Sequence, residues 1–306
     1  MDKREESEVI NGGRDVKNVD RCDACNGALT AGLETWHFVC GTCGLEHSTL
    51  QPQINEIESI DEAEREKALK PIRVHNFGVL LDWLRGRTAR PAQAGAKPRL
   101  LDVGCAHGWF LEQAAAHYDV LGLEPDAAIA KRALARHLPV RNGYFPQALQ
   151  AQEQFDVIVF NDVLEHIPGV TNILKECAAR LPADGVVVVN APDSRGFFYR
   201  LSRVFTRAGR QASFERMWQV GMPSPHLYYF NTKSMHRIAA ASGFKVVAER
   251  ALPSIVAKGL YDRINYAGNV SKLRSAVMTA GILALLPFMK LLPSDITVWV
   301  LAKQAD

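Results

Sequence analysis

The nine residues from Leu100 to Gly108, LLDVGCAHG, constrain the fold more than any other stretch, together with GLEPD beginning at Gly122. An apolar run that ends in a glycine-rich turn and then opens a helix is the start of a βαβ unit. An acidic residue about 20 positions after the first glycine completes a nucleoside-binding crevice at the carboxyl end of a parallel strand. Turn N–H groups face the ligand there, and the carboxylate takes the ribose hydroxyls.

The spacing argues against a dinucleotide. That fingerprint needs glycine at its first, third and sixth positions, the last for close packing of helix on strand. Those positions are Gly104, Ala106 and Trp109, and an indole would hold the helix off the sheet. Asp102, two residues before the first glycine, adds negative charge beside the turn. That charge suits an ammonium or sulfonium group better than a pyrophosphate.

These residues resemble the class I S-adenosylmethionine-dependent methyltransferases, over roughly residues 99–243. The resemblance implies a doubly wound, Rossmann-like α/β fold with a seven-stranded, mostly parallel sheet. Its first-strand loop is matched by Asp102, Gly104 and Gly108, with Cys105 between them and Ala106 in place of the middle glycine. It implies that Glu124, followed by Pro125, binds both ribose hydroxyls. Tyr144 or Phe145 would cover the adenine or else join the core. FDVIVFND, residues 155–162, resembles the fourth-strand motif, so that Asn161 and Asp162 face the methionine end and Leu164 closes over it. The last strand, from Thr297, is expected to slip antiparallel between strands five and six.

Four of the six cysteines form Cys22-x-x-Cys25 and Cys40-x-x-Cys43, with 14 residues between the pairs. Such spacing places four thiolates around a tetrahedral ion, and four cysteines close the shell, so the expectation is a structural zinc ribbon. Cys105 and Cys177 read as small buried side chains.

At 306 residues and 47% hydrophobic, the chain has room for one full-sized domain and a small module. The division expected is a disordered tail at 1–18, the ribbon at 19–54, a helical connector and linker at 55–98, broken by Pro71, and the main domain at 99–306. Insertions fall at about 194–225 and 253–294. The N-terminal MDKREESEVINGG carries no apolar run, which points to a cytoplasmic chain. A net charge of +3 and mixed charges around the cysteine knuckles argue against a nucleic-acid partner.

The first insertion carries Arg195, Arg200, Arg203, Arg207, Arg210 and Arg216 among aromatic residues. It reads as a lid for an anionic acceptor or as a helix with a solvated basic face. The second contains AVMTAGILALLPFMKLL, residues 276–292, either a packed helix or one in peripheral contact with the inner face of a membrane. His166 and His226 are the candidate general bases. Asp162, Glu165 and His166, at i, i+3 and i+4, are a candidate divalent-cation site.

The leading expectation is O-methylation of a small or carrier-linked acceptor such as a glycan sugar. Two alternatives stand beside it: a quinone or lipid methyltransferase at the membrane surface, and a non-catalytic ribbon module on a methyltransferase scaffold.

Overall fold

The computed structural model describes residues 20–54, 62–87, 96–267 and 271–304. The expected tail at 1–18 and parts of the connector lie outside them. The described chain opens with three short strands, β1 (Leu29–Ala31), β2 (His37–Cys40) and β3 (Glu46–Ser48), then one long helix, α1 (Glu62–Leu84). The alternating stretch is β4 (Arg99–Val103), α2 (Trp109–Ala114), β5 (Asp119–Glu124), α3 (Ala127–Ala135), β6 (Val140–Asn142), β7 (Val157–Asn161), α4 (Val170–Ala179) and β8 (Val186–Pro192). After it come α5 (Phe197–Arg207), α6 (Ala212–Met217), β9 (Tyr228–Tyr229), α7 (Thr232–Ala241), β10 (Phe244–Leu252), α8 (Leu260–Ala267), α9 (Lys272–Met289) and β11 (Ile296–Lys303).

The main sheet has the order β10-β11-β8-β7-β4-β5-β6. Strands β4 to β8 pair in parallel, and β11 runs antiparallel between β8 and β10, as expected. The chain moves outward from β4 through β5 to β6, then returns to the other side of β4 with β7. A topological switch point therefore lies between β4 and β7, where doubly wound sheets leave a crevice at the strand ends.

The continuous apolar runs of β7 and β8 follow from burial on both faces. Successive residues alternate between two cores. Leu101, Ile158, Phe160, Val187 and Val189 face one, whereas Leu100, Val157, Val159, Val186 and Val188 face the other. Helix α1 covers the second core with Phe77, Leu80, Leu81 and Leu84.

Two expectations are corrected here. Pro71 does not break the connector: α1 is one helix through it. The pyrrolidine ring sits against Gly259, where an added Cβ would come within 2.6 Å of it. The apolar stretch from Ala276 is not a core helix either. Within α9 only Ser275 is buried.

The cysteine module is built into the domain rather than appended to it. β3 pairs antiparallel with β9, giving a second sheet of order β1-β2-β3-β9. Glu46 pairs with Tyr229 and His47 with Tyr228, two residues after His226 in the chain.

Candidate active site

The turn after β4 is held by its own backbone geometry. Gly104 and Gly108 have φ of 70° and 73°, and Ala106 adopts a left-handed φ of 45°. At Gly104 an added Cβ would fall 2.6 Å from a Val163 methyl, so the turn closes on the loop after β7 only because the side chain is absent. The Glu124 carboxylate, at the end of β5, accepts from the Ala106 N–H at 2.8 Å and from the Asp126 N–H at 2.9 Å. Those bonds fix its orientation at the crevice while leaving lone pairs for further donors. Pro125 is half-buried beside it.

Asp102 is fully enclosed, and burial pushes its carboxyl up to about 8, with the charge of Glu124 adding and the Asn161 amide opposing. The Asn161 amide donates to Asp102 at 3.3 Å. Asn161 and Asn190 are register partners at the ends of β7 and β8. Among the described residues both of their buried Oδ1 atoms lack a hydrogen-bond partner. Two unsatisfied acceptors beside a carboxyl fit a ligand that carries N–H donors or positive charge. Asp162, next in the chain, has a φ of 54°, a second strained residue at the crevice.

The remaining expected contacts lie deeper. Cys105 and Leu164 are buried, and Phe145 packs edge-on against Phe160 within the core, with ring centroids 6.1 Å apart. Tyr144, by contrast, is 54% exposed.

The two histidines, distant in sequence, come together. Their rings meet edge to face at 4.8 Å. His166 Nδ1 lies 2.9 Å from the Pro225 carbonyl, an acceptor, so it carries the proton and Nε2 is left as the basic nitrogen. Burial drives His226 well below the ordinary histidine value, with His166 adding, so it stays neutral. Glu165, buried beneath them, is pushed well above the usual carboxylate range by burial and by Asp162. Among the described residues Glu165, His166 and His226 bring ligand atoms within 4.8 Å of one another. The divalent-cation reading is corrected accordingly: Glu165 and His166 cluster with His226, whereas Asp162 lies 3.8 Å from Arg73.

Of the six arginines of the first insertion, two are taken up by partners in the fold and three form an exposed basic face. Arg195 pairs with Asp193 at 2.6 Å and with Glu249 at 2.9 Å. Arg203 donates to Glu46 at 3.2 Å, while Arg200, Arg207 and Arg210 are exposed. The cations that approach the crevice are Arg73 of α1, Arg263 of α8 and Arg216. Arg263 is held below the ordinary guanidinium value by burial, then by the like charges of Arg216 and Arg73, with Asp162 opposing. Sequence reasoning missed Arg73 and Arg263, because only the tertiary fold brings α1 and α8 together.

The four cysteines of the knuckles converge. Cys22 and Cys43 sulfurs are 3.5 Å apart, as are those of Cys25 and Cys40, and all four lie within 4.8 Å. A tetrahedral ion with metal–sulfur bonds of about 2.3 Å needs sulfurs about 3.8 Å apart, so the donor set fits one. Each knuckle closes in the same way, with the N–H after the second cysteine donating to the carbonyl of the first: Asn26 to Cys22 at 2.8 Å and Gly44 to Cys40 at 2.9 Å. Beside the knuckles, Glu46 accepts from His37 at 2.7 Å and from the Tyr199 hydroxyl at 2.6 Å. That buried carboxylate ties ribbon and first insertion together.

A doubly wound sheet with a switch point between β4 and β7 defines the class of fold, and comparison with known proteins gives the family. A profile described as a methyltransferase domain matches residues 75–249. The chain belongs to this methyltransferase-domain family. It is 30% identical over 130 residues to the ubiquinone biosynthesis O-methyltransferase of Rhodopseudomonas palustris (strain HaA2), covering 38% of this chain and 51% of that protein. It is 32% identical over 129 residues to the protein of the same name from Xanthomonas campestris pv. campestris (strain B100), covering 40% and 52%. The chain thus spans about half the length of these curated relatives. Among solved structures, a chain from the complex of the Haloferax volcanii Trm112 methyltransferase activator with a methyltransferase aligns with a TM-score of 0.53 at 11% identity. It covers 80% of this chain and 95% of that one, which shows a shared fold.

Proposed function

We propose that the chain transfers a methyl group from S-adenosylmethionine to an oxygen of a small or carrier-linked acceptor. The observation that carries this reading is the Glu124 carboxylate, pinned by the Ala106 and Asp126 N–H groups at the mouth of the switch-point crevice. S-adenosylmethionine supplies a sulfonium methyl already activated for in-line displacement. Glu124 would hold the ribose hydroxyls, and the Asn161 and Asn190 oxygens, with Asp102, would receive the amino end. His166 Nε2 would accept the proton of the acceptor hydroxyl as its oxygen attacks the methyl carbon, and neutral His226 packs against its ring. Arg73 and Arg263, set against the single Asp162, suit an acceptor with a phosphate or carboxylate. The four cysteines would hold a structural zinc ion.

A quinol acceptor is a second reading, favoured by the named activity of the curated relatives together with the exposed apolar α9. Incubation with methyl-labelled S-adenosylmethionine and two acceptor panels, soluble hydroxylated sugars and catechols or quinols, separates the two readings. The expected result is label on one panel, reduced about 100-fold in His166→Ala with cofactor binding unchanged. Cofactor binding without transfer to any hydroxyl, or full activity in His166→Ala, would contradict the mechanism.

A further inference from the structure

The insertion between β10 and β11 ends in α9, whose apolar surface the other described residues leave largely uncovered. Ser275, Thr279, Ile282, Leu286 and Met289 are buried or half-buried and share one face. Around the remaining arc Leu273, Val277, Met278, Leu283, Leu285 and Phe288 are 40% to 76% exposed. Two more leucines, Leu291 at 83% and Leu292 at 39%, continue the surface beyond the helix. An amphipathic helix that serves a protein groove shows a stripe. Here the exposed apolar arc covers most of the circumference. Basic residues stand at both ends, Lys272 and Arg274 in its first turn and Lys290 just after it, and residues 271–293 contain no acid.

We infer that α9 lies in the interfacial plane of an anionic lipid bilayer and attaches the domain to it. Eighteen residues at 1.5 Å each give about 27 Å, and by length and composition the helix passes as a membrane span. The sheet excludes that. Leu252, the last residue of β10, pairs with Ile296, the first of β11, and the two strands stay paired to Phe244 and Lys303. A single crossing would put two hydrogen-bonded strands on opposite sides of the membrane. A return crossing is excluded too: residues 290–295 reach about 21 Å fully extended against a hydrocarbon layer about 30 Å thick, and before the helix, α8 is held on α1 by Lys67 and Asp262 at 3.0 Å, with residues 268–271 too short a joint to cross. A helix with both ends held on one side of the domain, its apolar arc uncovered and cations at both ends, can bury that arc only by lying against an apolar layer whose surface is anionic. The lysine and arginine stems reach outward while their charges meet lipid headgroups. The same insertion carries Arg263 on α8, so attachment would bring the crevice close to the lipid surface.

The test is co-sedimentation of the full chain with phosphatidylcholine vesicles containing about a third phosphatidylglycerol, and with pure phosphatidylcholine. It needs no cofactor, so its failure and a failure of methyl transfer are distinguishable. The expected result is binding to the anionic vesicles, weakened about tenfold or more by the triple change Leu283→Ser, Leu285→Ser and Phe288→Ser. Lys272→Gln with Arg274→Gln and Lys290→Gln should erase the preference for anionic lipid. An unchanged melting temperature shows that each variant is folded. No binding by the unaltered chain, or equal binding by the folded serine variant, overturns the inference. So does a dimer, seen by light scattering, that the serine variant dissolves in the absence of any vesicle binding. That result would assign the surface to a second copy of the chain.

Discussion

The Ser48 hydroxyl, in the last residue of β3, donates to the backbone carbonyl of His226 at 2.7 Å. With the Ser48 N–H on the Leu227 carbonyl and β3 paired to β9, this contact makes the cysteine module one wall of the histidine site. Stripping the proposed zinc with a chelator should therefore loosen β3 and cut methyl transfer sharply. Cofactor binding at the remote β4 turn should persist. Ser48→Ala should cost about 1 kcal/mol of stability and lower turnover with little change in cofactor affinity. Calorimetry and rate measurements on the same samples check both; loss of cofactor binding together with activity would contradict the coupling.

Gly104 is expected to be intolerant for two separable reasons. Gly104→Ala places a methyl 2.6 Å from Val163 on a backbone with φ of 70°, and should lose about 1–3 kcal/mol. Adding Val163→Ala should restore part of that loss by removing the clash, leaving the backbone strain. Thermal melts of the two variants measure the split, and full recovery in the double variant would show that φ carries no cost there.

Asp102 gives the pH dependence its sign. Its folded value of about 8 lies above the ordinary 3.8, so across that window the folded chain holds a proton that the unfolded chain has lost. Stability from this group is therefore present at the acidic end and declines as pH rises through 8. Asp102→Asn should flatten that decline in melts between pH 6 and pH 9. Cofactor affinity should move the opposite way in the unaltered chain. It should rise by up to about tenfold per pH unit toward pH 8 as the carboxyl ionises beside a cationic ligand, and stay flat in Asp102→Asn. Parallel pH profiles for the two proteins would contradict this assignment.

The sheet, its final antiparallel strand and the crevice were legible because they depend on local pattern. The apolar runs of β7 and β8, the glycines of the β4 turn and the acid ending β5 each declare themselves within a few residues. The convergence of the four cysteines was equally readable, since two C-x-x-C pairs are a compact local pattern. What the sequence hid was the use of charge. Arg195 and Arg203 looked available for a substrate, yet the partners that consume them, Asp193 with Glu249 and Glu46, are set by tertiary contacts. Helix α9 stayed undecided between packing and surface contact for the converse reason: apolar composition says that a surface needs covering, not what covers it.

The claim that the switch-point crevice is an S-adenosylmethionine site is tested most directly by titrating the purified chain with that compound in a calorimeter, beside Glu124→Gln. The account predicts saturable one-to-one binding to the unaltered chain, and affinity lower by about tenfold or more in a Glu124→Gln variant that melts normally. Absence of binding at millimolar cofactor, or equal affinity in the two proteins, would contradict it.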